Sequence, residues 1–411
     1  MRTPTLLILI MLSVVSSQAS VLKVGKNELY ATIQEAIIHA DSGDFILVEK
    51  GKYQSGNILI DKPIHLIGVG IPVLDGGNIS DVITVTANHV FIQGFIIQNS
   101  GRSDIKEMSG VGINHCHDCT VQNCILIHNF FGIYAGNSNN CSITANEIWN
   151  QTKSESSGGN GIHLWHCDSM LLKNNFVKEC RDGIYFEFVS NSTITGNVST
   201  QQLRYGIHFM FSDHDLYSAN TFYKNGSGVA VMYSNHVSMN RNKFLDNKGG
   251  AAYGILLKEI TDSKIIGNQF VSNTIGLYME GTSRCFISDN EFRSNGYGVK
   301  LFGDCDDDTL SLNNFFSNTM DVATNSSNSN HLFYNNYWDK YTGYDLNHDG
   351  TGDVVFRPVS LFSKLSEIVP NSVMLLHSFL IELLEKAESI LPSLTPISFV
   401  DDKPSMKPNH R

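Results

Sequence analysis

Asn220-Thr-Phe222, Asn242-Lys-Phe244, Asn268-Gln-Phe270 and Asn290-Glu-Phe292 are four copies of one short pattern. The series extends through Asn197, Asn174, Asn146 and Asn123 toward the N-terminus, and through Asn313 and Asn335 toward the C-terminus. Most gaps are 22 or 23 residues, but Asn146 to Asn174 spans 28 and Asn242 to Asn268 spans 26. A second series keeps step with it: Gly161, Gly183, Gly206, Gly228, Gly254, Gly276 and Gly298, each followed by Ile, Val or Leu. A fixed period with little identity between copies marks a repeat architecture.

Each unit reads as strand. Gly206-Ile-His-Phe-Met-Phe211 and Gly254-Ile-Leu-Leu-Lys258 are short apolar-alternating runs bounded by turn formers, and no unit holds an uninterrupted helical stretch. About 22 residues is one coil of a three-sided parallel β-helix, with three short strands and three turns. The expected fold is therefore all-β, a right-handed parallel β-helix of the pectin-lyase type. Coils stacked ~4.8 Å apart set like residues above like, so the asparagines should form a hydrogen-bonded ladder. The glycines are expected at tight bends. The two long gaps predict loops leaving the coil, at Gln151 to Gly159 and at Asp246 to Ala252.

The repeat also sets the chain's organisation. Residues 1–19 read as a signal peptide: Arg2, an apolar run from Leu6 to Val15, then Ser17-Gln-Ala19 for cleavage. That predicts export to the periplasm. Residues 20–110 hold the first coils and, within Ala31 to Ala40, a short amphipathic helix that caps the open end. Regular coils occupy 111–340, a polar loop 341–370, and a helix with a tail 371–411. In that helix Val373, Leu376, Phe379, Leu380, Leu383, Leu384, Ala387 and Leu391 line one side, against Glu382, Glu385, Lys386 and Glu388. Four charges argue against a membrane span. The last residues, Asp401 to Arg411, are expected to be disordered. A formal charge of -11, from 29 basic and 40 acidic residues, disfavours nucleic acid as a partner.

Period-two alternation sorts the residues after each Gly. The first points inward; His163, Tyr185, His208, Ala230, Leu256, Tyr278 and Lys300 point outward, followed two places on by Trp165, Glu187, Met210, Met232, Lys258 and Glu280. Outward methionines on neighbouring coils are unusual. His208, Met210 and Met232 form a soft thioether–imidazole set suited to Cu(I), or else a hydrophobic docking patch. Cys116 and Cys119, within His115-Cys116-His117-Asp118-Cys119, read as a copper or zinc site, as a thiol pair, or as plain structure in core register. The eight cysteines read chiefly as buried unpaired thiols. Asp345, Asn347, Asp349 and Asp353 match the start of a calcium loop, but Phe356 replaces the twelfth-position acid, leaving a calcium-clipped turn or one held by Asx hydrogen bonds. Asp182, Glu187, Arg204, Lys258 and Glu280 sketch a carbohydrate-active alternative, a polysaccharide lyase or epimerase.

Several outward strings together resemble one family. Asn160-Gly-Ile-His-Leu-Trp165, Arg181-Asp-Gly-Ile-Tyr-Phe-Glu187, Arg204-Tyr-Gly-Ile-His-Phe-Met-Phe-Ser212, Gly228-Val-Ala-Val-Met-Tyr-Ser234 and Ala252-Tyr-Gly-Ile-Leu-Leu-Lys-Glu259 are similar to the NosD family of periplasmic nitrous oxide reductase maturation proteins. So are Tyr344 to Asp353, Arg357-Pro-Val-Ser-Leu-Phe362 and Pro392-Ser-Leu-Thr-Pro396. The stretch from Cys116 to Cys124 is outside the resemblance. The resemblance implies a non-enzymatic accessory protein that works with an ABC transporter and a copper chaperone lipoprotein. It implies copper delivery to the reductase's copper-sulfide centre. On it, His208, Met210 and Met232 become a handover surface, and the C-terminal helix docks onto the transporter's permease.

Overall fold

The computed structural model describes residues 19–390 and 399–409, apart from residues 55, 104, 327–329 and 377. The expected signal peptide and the Pro392 to Pro396 string lie outside them, save for Ala19. The described chain winds as a right-handed parallel solenoid of about 14 turns. Its walls are three sheets of 14, 12 and 13 strands, and neighbours within a sheet are three strands apart in sequence except for the first pair, Val21–Val24 with Phe45–Val48. Helix α1 (Ile33–His39) closes the first coil. Thr32 caps its N-terminus by accepting from the Glu35 amide, and Ile33, Ala36 and Ile37 cover the core.

The asparagine ladder exists, shifted by one residue at three coils. Asn146, Asn175, Asn197, Asn220, Asn242, Asn268, Asn290, Asn313 and Asn336 are the buried members. Each side-chain oxygen accepts from the amide and the side-chain nitrogen of the preceding member: Asn242 N and Nδ2 lie 2.8 and 3.0 Å from Asn268 Oδ1. Each Nδ2 also donates to a strand carbonyl, as Asn242 does to Tyr217 at 3.1 Å. Asn123, Asn174 and Asn335 instead occupy the preceding turn position with φ near +50°. Cys124 holds the ladder register of its coil, its amide 3.0 Å from Asn146 Oδ1. Beside the ladder, Phe222, Phe244, Phe270, Phe292, Phe315 and Trp338 stack in one column at 4.2–5.3 Å.

The glycine series serves close approach rather than tight bends. A Cβ on Gly206 would lie 2.5 Å from the Gly228 carbonyl oxygen, and one on Gly254 2.5 Å from that of Gly276. The tail departs from the expected disorder. Asp401 Oδ2 accepts from Asn336 N, Asn336 Nδ2 and Trp338 Nε1 at 3.0–3.1 Å, so this carboxylate takes the place of the next ladder residue. The C-terminal helix is also divided. Helix α2 (Leu361–Ile368) precedes a short 3-10 segment (Pro370–Leu375) and helix α3 (Phe379–Ile390). Phe362 and Ile381 pack on Met320, with Leu376 and Leu384 beside them, and Glu367 pairs with Lys300 at 2.9 Å. Among the described residues no helix is long and apolar enough to cross a membrane.

Candidate functional site

Strand alternation carries the site. In Tyr205–Met210, Ile207 and Phe209 are buried in the core, while His208 and Met210 face outward on the 12-stranded wall. The next strand, Ser227–Asn235, sets Met232 directly against Met210. The column continues as Glu187, Met210, Met232, Lys258 and Glu280. His208, Met210 and Met232 line one open cavity of about 430 Å³, together with Arg204, Tyr205 and Glu155.

The histidine is not an exposed residue. Its side chain is 7% accessible, enclosed by the rings of Tyr185 and Tyr205 at 5.0 and 4.8 Å. Below it lies Asp182, fully buried, with Arg204 in a two-pronged ion pair at 3.1 and 3.0 Å. Burial pushes the Asp182 carboxyl up, but His208, Arg204 and Arg181 outweigh it and hold the group below the usual carboxylate range. His208 Nδ1 stands 3.2 Å from Arg204 Nη2 and 3.9 Å from Asp182 Oδ2. Its Nε2 is buried without a hydrogen-bond partner. Arg204 Nη2 can only donate, so its 3.2 Å contact makes Nδ1 the acceptor; Nε2 offers a metal its lone pair when the proton sits on Nδ1 instead and Nδ1 turns from Arg204 to Asp182. Met210 Sδ accepts from the Tyr185 hydroxyl at 3.5 Å. The donor set and the orphaned nitrogen fit a soft monovalent metal.

An exposed aromatic ladder borders this cleft. His166, Phe188, Phe211 and Tyr233 stack at 4.6–5.2 Å, within 14° of parallel. Phe188, Phe211 and Tyr233 are 41–43% exposed. Each follows directly on Trp165, Glu187, Met210 or Met232, so the same period that ranked the methionines would have found this ladder.

The other candidates are arranged differently. All eight cysteines are buried and unpaired. Cys116 and Cys119 point into the core, their thiols on the Asn114 and Ala87 carbonyls at 3.0 and 3.3 Å. The hydrogen bond Cys116 gives Cys119, with burial, pushes the Cys116 thiol up, while the hydrogen bonds Cys119 receives from Cys116 and Cys141 push Cys119 down, so at most one of the two is a ready thiolate, and it faces the core. The flanking His117 and Asp118 face solvent instead and meet His89 of the preceding coil, which sequence spacing did not single out. In the Asp345 loop the side-chain oxygens hold turn amides: Asp345 takes Asp349 N and Gly350 N, Asn347 takes Asp349 N, Asp349 takes Thr351 N, and Asp353 takes Leu346 N. Asp345, Asp349 and Asp353 do not gather their oxygens within 4.8 Å of one another. Of the five residues of the carbohydrate-active alternative, Asp182–Arg204 and Lys258–Glu280 form separate ion pairs. Met210 and Met232 stand between Glu187 and Lys258. On the C-terminal helices, Val373, Phe379, Leu380 and Leu383 are exposed, with Met374 and Ile368 beside them. Leu376 and Leu384 turn inward, and Leu391 lies outside the described residues.

The class is that of right-handed β-helix proteins: residues 80–211 match the family model for a right-handed beta helix region. Residues 153–349, which contain the whole cleft, match the model described as "Periplasmic copper-binding protein (NosD)". The chain is 26% identical over 389 residues to the "Probable ABC transporter binding protein NosD" of Pseudomonas aeruginosa, covering 90% of each. It is 27% identical over 379 residues to the protein of the same description from Stutzerimonas stutzeri, covering 87% of this chain and 85% of that one. This chain is thus a right-handed β-helix protein that is similar to NosD proteins over most of its length. Solved structures share its fold alone. A family 28 exopolygalacturonase of Yersinia enterocolitica aligns with a TM-score of 0.59 at 10% identity, over 77% of this chain and 78% of that one. The catalytic unit of an α-1,3-glucanase from Streptomyces thermodiastaticus aligns at 0.56 and 14%, over 75% and 62%.

Proposed function

We propose that this chain is a periplasmic accessory protein, not an enzyme, that passes copper to the copper-sulfide centre of nitrous oxide reductase. Its partners are an ABC transporter and a copper chaperone lipoprotein. The observation that carries the reading is that His208, Met210 and Met232 line one cleft with an unpartnered imidazole nitrogen. Two thioethers and one imidazole hold Cu(I) in preference to harder ions. Copper here is cargo. A donor set open on one side, rather than a closed cage, lets an incoming partner's ligands displace the protein's own. Asp182 and Arg204 orient His208 from beneath, and the exposed ring ladder beside the cleft gives the partner an apolar edge to meet. The exposed apolar residues of the C-terminal helices are the docking face for the transporter's permease.

Cu(I) competition titration of the mature chain tests the cleft. Replacing both methionines by Ala should abolish tight Cu(I) binding and lower copper loading of the reductase in cells. Unchanged Cu(I) affinity together with a fully metallated reductase would remove the cleft from the mechanism.

A further inference from the structure

The corner where the 12-stranded wall turns into the 14-stranded wall repeats from coil to coil. Its second residue takes a left-handed conformation: His89, Asp118, Asn140, Asn191, His214 and His236 all have φ between 49° and 61°. Asp, Asn and His tolerate that region, so turn chemistry alone accounts for them. The residue before it follows a second rule. Asn88, Asn139, Asp168, Ser190 and Asp213 are short hydrogen-bonding residues that brace the corner. Asn88 Oδ1, for example, accepts from the His117 amide at 2.9 Å, and Asp213 Oδ1 from the Asn235 amide at 2.7 Å.

His117 breaks this second rule. It stands in register with Asn139, yet it brings an imidazole where the corner asks for a small Asx or Ser side chain. Its Nδ1 lies 2.6 Å from Asp118 Oδ2, and His89 Nδ1, from the coil before, lies 3.6 Å from the same oxygen. The two rings stand perpendicular with centroids 5.0 Å apart. One ligand atom from each of the three residues falls within 4.8 Å of the others, the one such group of His, Cys, Asp or Glu among the described residues. Ligands at ~2.0–2.2 Å from a common ion are separated by about 3–3.5 Å, so the three atoms need only small rotations to share one. Asn140 Nδ2 donates to Asp118 Oδ1, fixing the carboxylate from outside as ligand-orienting partners do.

We propose that His89, His117 and Asp118 form a site for a divalent transition-metal ion of the borderline class, Cu2+ or Zn2+, separate from the His208 cleft. Two imidazole nitrogens and one carboxylate oxygen, with solvent in the open positions, suit those ions and not Cu(I). The side chains are 60, 44 and 33% accessible, so the ion would exchange from solution. The site lies on the near side of the coils that hold the methionines and requires none of them.

The test is equilibrium titration of the mature chain with Cu2+ alone and with Zn2+ alone, against a competing chelator, joined to electron paramagnetic resonance of the Cu2+ form. His117→Asn installs the residue type that the corner carries elsewhere, and His89→Asn keeps a residue that tolerates the left-handed turn, so both variants should fold. Expected results are two-nitrogen hyperfine structure in the parent and binding weakened at least about tenfold in each variant. Cu(I) affinity at the methionine cleft should stay unchanged. Equal Cu2+ and Zn2+ affinity and stoichiometry in the double variant would overturn the proposal, as would a Cu2+ spectrum without nitrogen coupling. An unaltered chain that binds Cu2+ and Zn2+ here but no Cu(I) at the cleft would fail the copper-handover reading alone.

Discussion

Replacing Asn175 by Ala should destabilise the solenoid by about 3 kcal/mol, while Asn174→Gly next to it should be nearly neutral. Asn175 Oδ1 accepts from Asn146 N and Nδ2 at 3.0 and 3.1 Å, and Asn175 Nδ2 donates to Ile143 O and Asn197 Oδ1 at 2.8 and 2.9 Å. Two of these groups keep another partner after truncation: Asn146 Nδ2 retains the Val121 carbonyl, and Asn197 Oδ1 retains the Asn175 amide. The Asn146 amide is left buried and unpaired, at a cost of ~1–3 kcal/mol, and the Ile143 carbonyl loses a donor worth ~0.5–1.5 kcal/mol. Asn174 is exposed with φ +55°, a conformation Gly adopts freely. Denaturant unfolding of the two variants gives the comparison. Hydrogen exchange at the Asn146 amide gives a local readout that does not depend on the whole solenoid melting as one unit. Equal stability of the two variants, or unchanged protection at Asn146, would refute the ladder as the source of the energy.

Met210→Ala with Met232→Ala should leave the fold intact at a cost of about 1–2 kcal/mol, less than fully buried methionines forfeit, while Cu(I) affinity collapses; circular dichroism beside the Cu(I) titration separates the two. Asp215 is buried, with Oδ2 unpartnered and Oδ1 on the Ser192 amide at 2.8 Å. Burial pushes its carboxyl up to about 8 from 3.8. The folded state therefore keeps a proton that the unfolded state loses, so this group's contribution falls as pH rises from about 4 to about 8. Asp215→Asn should flatten that dependence and be the more stable protein at pH 8, as read by unfolding midpoints across pH. For docking, Met374→Asp with Phe379→Asp is the informative change, because both side chains are 78% or more exposed. Truncation before Asn371 would also remove the Asp401 cap on Asn336. The double variant should stay folded and fail to co-purify with the permease; retained association would leave these helices a cap only.

Much of this architecture was legible because stacking makes each coil repeat its neighbour's demands. The period, the cap at Ile33–His39 and the outward placement of the methionines all followed from it. The structure departs from that reading where one residue type satisfies two rules. In Asn174-Asn175 and Asn335-Asn336, one asparagine takes the left-handed turn and the other the ladder, and spacing alone cannot say which is which. The glycines looked like turn residues because Gly suits bends, whereas the contact that excludes a side chain is with the next coil's carbonyl, a long-range fact. His89 leaves no mark in local spacing, because its partners lie 28 and 29 residues away across a corner. The depth of His208 was equally hidden, since outward in a strand does not mean exposed when the rings of Tyr185 and Tyr205 enclose the side chain.

The loops that leave the coil link the repeat to the site. Two gaps in the asparagine series exceed the common 22 or 23 residues, and each places a residue in the wall of the same cleft. Glu155 comes from the insertion after Asn146, and Ala251 from the insertion after Asn242. A regular solenoid face is a flat ribbed surface, and flat surfaces make poor ligand sites. The insertions flank the coils bearing His208, Met210 and Met232 and turn that ribbed surface into a cavity of about 430 Å³. The repeat thus supplies donors at fixed spacing, and its interruptions supply the enclosure. Where two insertions from different coils converge over outward residues of soft donor chemistry, the deviation from the period is itself the sequence-level mark of the site.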